Sequence, residues 1–122
     1  MRRLSLKRRS LLKIVGPIRE AMRRELRLCE YCRKRSPILH EISRGGTRKA
    51  SLDKRFAILG LCHPACHELV GGWCRAKQLA LLLIRRPQDF DLEAYWEIIR
   101  RRTPDIEEVL EWRDKLMEEL NL

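Results

Sequence analysis

The chain has 122 residues, 44% of them hydrophobic and 36% charged. That is one domain's worth of material, with a core small enough that a covalent or metal staple would strengthen it considerably. Lys and Arg number 27 against 17 Asp and Glu, a net charge of +10, and no stretch approaches the ~20 apolar residues of a membrane span.

The charge is graded along the chain. Residues 1–27 carry ten basic and two acidic side chains, residues 28–75 nine and four, and residues 76–122 eight and eleven. A basic arm and centre beside a mildly acidic tail is the footprint of a phosphate-backbone binder, with an acidic protein or anionic lipid as the alternative partner.

Residues 1–9 read as a flexible basic arm. The start MRRLSLKRRSLLKIVGP does not read as a signal peptide, because Lys13 interrupts its apolar stretch and no small-residue cleavage site follows. An Arg- and Ser-bearing organellar leader is the alternative. Gly16-Pro17 marks a boundary, and Ile18, Ala21, Met22 and Leu26 then recur at helical spacing. The pattern predicts an amphipathic helix over 17–27 with an Arg face, so 1–27 forms an N-terminal arm and helix.

Residues 28–72 hold four of the five cysteines and all three histidines. They read as a small loop-rich core: a knuckle at 29–32, a strand near 37–43, a basic loop, and a second strand near 56–61. Residues 73–122 are a helical extension. WCRAKQLALLLIRR predicts a helix running to Pro87, and its greasy LALLLI, stopped by Arg85-Arg86, reads as buried. DLEAYWEIIRRR (91–102) has Asp91 as its N-cap. In TPDIEEVLEWRDKLMEEL, Thr103 is the expected cap, with Pro104 at the first helical position. Ile106, Val109, Leu110, Leu116, Met117 and Leu120 form one stripe, suited to core packing or a partner helix. The fold class expected is α+β, mostly helical, with a small metal-stapled centre.

Cys29 and Cys32 (CEYC) precede Cys62 and Cys66 (CHPAC) by a gap of 29 residues, and Cys74 is left over. Two close pairs so separated have zinc-ligand spacing: each bends the backbone into a knuckle, and four thiolates complete a tetrahedron. Disulfides are the rival, disfavoured in a basic chain with an odd cysteine. The second pair has a slightly wide loop, so His63 could compete as a ligand. Cys74 is expected to pack as a small apolar residue on the following helix.

His67 follows Cys66 directly, and His40 lies on the strand after the first knuckle. A zinc-stapled hairpin followed by a helix would bring the two imidazoles together. Two adjacent histidines in basic surroundings can hold a divalent ion that polarises a phosphate. Taken singly, each also has a structural reading, His40 as a strand residue and His67 as a hydrogen-bonded helix start.

Over about residues 28–70 the chain resembles the HNH endonuclease family, in the zinc-stapled ββα-metal, treble-clef-like form common in phages and bacteria. The matching elements are CEYC, LHEI at a strand end, RGG, and LC…CHEL. The resemblance implies a DNA endonuclease or nickase that hydrolyses phosphodiester bonds, acting on double-stranded DNA in a bacterial or phage-infected cytoplasm. It implies structural Zn²⁺ on Cys29, Cys32, Cys62 and Cys66, and a catalytic Mg²⁺, Mn²⁺, Ni²⁺ or Zn²⁺ on His40 and His67. Glu41 falls at the general-base position, with His40 as the other group able to activate water. The stretch from Trp73 to Val109 is also similar to the tail of some phage-type members.

Several positions depart from the family's pattern. Glu41 stands where a histidine base is expected, and a carboxylate with an ordinary pKa near ~4.3 is a weak base. Ala57 occupies the place of the middle Asn, and Gly71 that of an occasional third histidine ligand, for which Glu68 is a conceivable substitute. Arg44, Arg48, Lys49, Lys54 and Arg55 lie beside the cleft and would meet phosphates without reading bases. Tyr31 and Trp73 could stack on a base or pack against the knuckle. Two other functions fit the same residues: a non-catalytic zinc-stabilised nucleic-acid-binding protein, and an interaction module of a DNA-processing complex that binds a protein partner through its C-terminal helices.

Overall fold

The structure, a computed structural model, describes residues 6–42, 52–99 and 103–122. Arg44, Arg48 and Lys49 of the basic loop, and the Arg100–Arg102 run, lie outside the described residues.

The first helix, α1 (Leu6–Glu25), begins earlier than its pattern predicts and runs through Gly16-Pro17. Proline inside a helix forfeits one backbone hydrogen bond. Here good helix formers stand on both sides, Leu11, Leu12 and Lys13 before it and Arg19, Glu20, Ala21 and Met22 after it, and carry the helix across. Arg23 and Arg24 in its last turn complement the negative end of the helix dipole. Of the predicted apolar stripe, Met22 is fully buried while Ile18 is exposed.

The chain then makes the first knuckle, closed by Cys29 N–H to the Arg35 carbonyl at 2.7 Å and Arg33 N–H to the Cys29 carbonyl at 2.9 Å. Strand β1 (Ile38–Glu41) pairs antiparallel with β2 (Ile58–Leu61), with His40 opposite Leu59 and Glu41 opposite Ile58. β2 starts later than predicted, because Arg55–Ala57 forms a 3₁₀ turn ahead of it, and residue 43, the predicted end of the first strand, lies outside the described residues. Gly60 permits a close approach: a Cβ there would sit 3.1 Å from Leu26 Cδ1 and 3.2 Å from Pro37 Cβ. The bare backbone at Gly60 also exchanges hydrogen bonds with Glu30, N–H to Oε1 at 2.8 Å and carbonyl to the Glu30 N–H at 2.8 Å. The knuckle is thereby fastened to the free edge of β2.

Helix α2 (Ala65–Gly71) follows, then α3 (Arg75–Arg85), α4 (Leu92–Ile99) and α5 (Ile106–Glu119). In α3, Ala76, Gln78, Leu79, Ala80, Leu81 and Leu82 are all buried, so it is the central core helix, as LALLLI predicts. Each such leucine contributes roughly 1.5–3 kcal/mol. Along α5, which packs on α3, Val109 and Leu116 are buried, while Ile106 and Met117 at the rim of the predicted stripe are exposed. The expected Asp91 cap holds, its Oδ1 accepting the Ala94 N–H at 3.0 Å. The cap of α5 is Asp105 rather than Thr103: its carboxylate accepts the Glu108 N–H at 2.9 Å, and the Thr103 hydroxyl is buried with no partner. Tyr95, fully buried, donates its hydroxyl to the Ile42 carbonyl and anchors α4 to the end of β1. Burial pushes its phenol up to about 12. No helix among the described residues is long and apolar enough to cross a membrane.

A buried ion network, not foreseen, locks the end of α3 to the knuckle. Arg86 donates to Glu30 Oε2 at 2.9 Å, to Asp89 Oδ2 at 2.8 Å, and to the carbonyls of Arg55 and Ile58. Arg55 pairs with Asp89 at 3.1 Å and with Glu25.

Candidate metal centre and the adjacent histidine cleft

The two knuckles bring Cys29, Cys32, Cys62 and Cys66 together, with all four Sγ atoms within 4.8 Å of one another. Zn–S bonds of ~2.3 Å in a tetrahedron place sulfurs ~3.8 Å apart, and Cys32 and Cys62 stand 3.9 Å apart. None of the cysteines forms a disulfide, and three of the four are buried. The four cysteines could therefore hold a structural metal such as zinc. Burial pushes the Cys66 thiol up, and its neighbouring thiols push it further. Burial also opposes ionisation of Cys32, but the backbone of Lys34 and hydrogen bonds from the other thiols outweigh it and bring Cys32 to about 7. A thiolate at Cys32 is thus favoured at the expense of one at Cys66, and a bound cation would favour the thiolate form of its ligands.

The fourth member of this cluster is Cys66, and His63 is not part of it. His63 is exposed, its ring 5.5 Å from that of His67. His67 follows Cys66 in the first turn of α2, where its N–H bonds the Cys62 carbonyl at 2.9 Å. The His40 ring meets the His67 ring edge to face, centroids 5.0 Å apart. The three imidazoles thus form a row beside the cysteine cluster, His67 in the middle.

His40 is oriented by a residue the sequence reading missed. Gln78 is buried in α3, its amide nitrogen donates to the Trp73 carbonyl at 3.0 Å, and its Oε1 lies 2.9 Å from His40 Nε2. Because the amide nitrogen is engaged elsewhere, Oε1 is the acceptor, and the His40 proton resides on Nε2. A ring proton held by a carbonyl-type oxygen is the usual way an imidazole is set up as a metal ligand. The available signal was Gln78 itself, an uncharged polar residue beside Lys77 at the head of the apolar run AKQLALLLI.

Glu41 is held differently. Successive side chains along a strand point to opposite faces, and the Glu41 carboxylate turns to α1, where Arg19 Nη1 holds it at 3.1 Å. Arg19 also donates to the Leu52 carbonyl at 3.0 Å. The carboxylate is thus engaged in joining helix, strand and loop, while Glu41 and His40 line the same cleft. Ala57, at the place of the missing Asn, is core: it is buried and its carbonyl accepts the Ile42 N–H at 2.8 Å. Gly71 does lie over the site, since a Cβ there would be 3.7 Å from His40 Cε1. Glu68 is exposed on α2.

An open cleft of about 610 Å³ runs from His40 and Gln78 past Trp73 and Arg75 to Glu108 on α5. Cys74 lines it as well, exposed at the N-cap of α3 rather than packed as expected. Trp73 stacks edge-on against Tyr31 at 5.3 Å, and Lys77 lies over its ring at 4.1 Å, so both aromatics pack within the protein. Of the predicted phosphate contacts, Lys54 is half-buried beside Asp53 at 3.6 Å, whereas Arg55 is engaged by Asp89 and Glu25.

Together these elements define a mostly helical α+β protein, in which a two-stranded hairpin and the helix behind it surround a four-cysteine cluster suited to zinc. Compared with known protein families, curated proteins and solved structures, the chain matches none of them.

Proposed function

We propose that the protein is a metal-dependent DNA endonuclease or nickase of HNH type, acting on phosphodiester bonds in double-stranded DNA. The observation that carries the proposal is the edge-to-face pair of His40 and His67 beside the cysteine cluster, with the Nε2 proton of His40 held by Gln78. His40 and His67 would hold the divalent ion, which when bound supplies the charge that polarises a phosphate and stabilises a departing oxygen. Gln78 fixes the tautomer and the ring plane of His40. Glu41 lines the cleft with His40, with its carboxylate engaged by Arg19. His63, exposed at the end of the row, is the imidazole left to take a proton from water.

A second reading, a zinc-stabilised nucleic-acid-binding protein that does not cut, is favoured by that same Arg19–Glu41 pair, which engages the carboxylate next to His40.

The test is to incubate the zinc-loaded protein with supercoiled plasmid and Mg²⁺, Mn²⁺ or Ni²⁺, beside a His40→Ala/His67→Ala double variant. Relaxed or linear plasmid with the wild type alone supports the nuclease. Cleavage that survives the double variant sinks the assignment of these histidines, and tight retention without cleavage under any metal favours the second reading.

A further inference from the structure

Behind the first knuckle, where the end of α1 meets the end of α3, lies a second pocket of about 340 Å³, lined by Arg27, Arg33, Arg55, Arg85 and Arg86. It shares no lining residue with the histidine cleft.

Two of its arginines are neutralised. Arg86 is bound to Glu30 and Asp89, and Arg55 to Asp89 and Glu25. The other three are not. Arg85 directs Nε to the Glu30 carbonyl at 2.6 Å and Nη2 to the Tyr31 carbonyl at 3.4 Å, both neutral acceptors. Arg27 and Arg33, both exposed, pair with no carboxylate among the described residues. Arg33 is delivered there by a left-handed turn of the knuckle, φ 59°. The Arg85 guanidinium is held below its ordinary range by burial and by the charge of Arg33.

Like charges gathered in a partly desolvated pocket are unfavourable unless an anion joins them. The planar guanidinium fork matches tetrahedral oxyanions and binds them bidentately. The carboxylates of Glu25 and Glu30 also line the pocket, but each already has its own arginine. The cavity is roughly ten times the ~30 Å³ share of a water molecule, ample for a phosphate.

We propose that this pocket holds a backbone phosphate of a nucleic-acid strand, gripped by Arg27, Arg33 and Arg85, as an anchor separate from the histidine cleft. The proposal rests on the nucleic-acid reading above and does not require that the strand be cut.

Two arms separate the pocket from that reading. In the first, inorganic phosphate is titrated into the zinc-loaded protein at constant ionic strength, following the arginine Nε–H signals by NMR. Saturable shifts of Arg27, Arg33 and Arg85 that vanish in Arg33→Asn support the site. Asn tolerates the left-handed backbone, so this variant removes the charge and keeps the turn. Shifts that do not saturate, or that chloride reproduces, overturn it. In the second, duplex binding is measured against salt for the wild type and for Arg27→Gln/Arg33→Asn. One phosphate anchored by both residues predicts that the double variant loses about 1 from the slope of log K against log salt, equally for unrelated sequences. A loss of about 2 would mean two separate surface charges, and an unchanged slope would mean no contact, and either overturns the proposal. If phosphate saturates the pocket while the wild type fails to retain DNA, a strand as the phosphate's source is overturned and only an oxyanion site stands.

Discussion

Replacing Gln78 by Leu removes two hydrogen bonds at nearly constant volume. Gln78 is 4% exposed, so neither partner regains water easily: the Trp73 carbonyl loses a donor at 3.0 Å, and His40 Nε2 loses an acceptor at 2.9 Å. Net hydrogen bonds contribute about 0.5–1.5 kcal/mol each and an orphaned buried group costs about 1–3 kcal/mol. The expected destabilisation is therefore about 1–3 kcal/mol, seen as a lower urea midpoint at unchanged m. A residue that orients a ligand has a second effect, which a purely structural one lacks. Affinity for Mn²⁺ at the histidine pair should fall 10–100-fold, the range for lost orienting partners of metal-bound imidazoles. Gln78→Glu separates the two effects. Its carboxylate still accepts from His40 but cannot donate to Trp73, so stability should fall while metal affinity is kept or raised. Equal loss of metal affinity in Gln78→Leu and Gln78→Glu, or none in Gln78→Leu, would refute the orienting role.

Further outcomes follow from the same geometry. Glu30→Ala leaves Arg86, whose side chain is 6% exposed, short of one carboxylate and strips the Gly60 N–H of its acceptor. Breaking a buried pair from one side costs about 3–5 kcal/mol, so chemical denaturation should show a loss of that order, and a loss below ~1 kcal/mol would contradict the clamp. Burial alone would raise the Asp89 carboxyl, but hydrogen bonds from Arg55 and Arg86 outweigh it and hold it below the ordinary carboxylate range. Its contribution is then fully present above the unfolded value, near pH ~4, and is lost as pH falls through the lower folded value. The stability gap between wild type and Asp89→Asn should accordingly be widest near neutrality and close in acid, and a gap independent of pH would refute this. Position 71 stands over His40 in ordinary van der Waals reach, so Gly71→His offers a third imidazole to the pair. Tighter Mn²⁺ or Ni²⁺ binding by calorimetry is the expected result, and unchanged affinity would show that the row does not converge on an ion.

The parts of the fold written as local patterns were legible in the chain. CEYC and CHPAC announced the cysteine cluster because ligand spacing is a short-range property, and LALLLI announced a buried helix because apolar density is too. The meeting of His40 with His67 followed once the knuckles were placed. The parts that depend on distant partners were not. Glu41 reads as a base beside His40 until strand alternation sends it to Arg19, 22 residues earlier in the chain. Arg85-Arg86 reads as the polar stop of a helix, yet Arg86 reaches back 56 residues to Glu30 and is nearly the most buried charge described. The helix through Pro17 shows a local breaker overridden by the residues around it, and Asp105 displaced Thr103 as a cap because two capping residues stood within one turn.

The central claim is that His40 and His67 hold a divalent ion beside the cysteine cluster. Titrating Mn²⁺ into the zinc-loaded protein and following imidazole resonances by NMR tests it most directly. The account predicts early paramagnetic broadening of His40, His67 and the Gln78 amide at low Mn²⁺, abolished in His40→Ala. Broadening that begins on the acidic C-terminal helices, or that persists unchanged in His40→Ala, would contradict it.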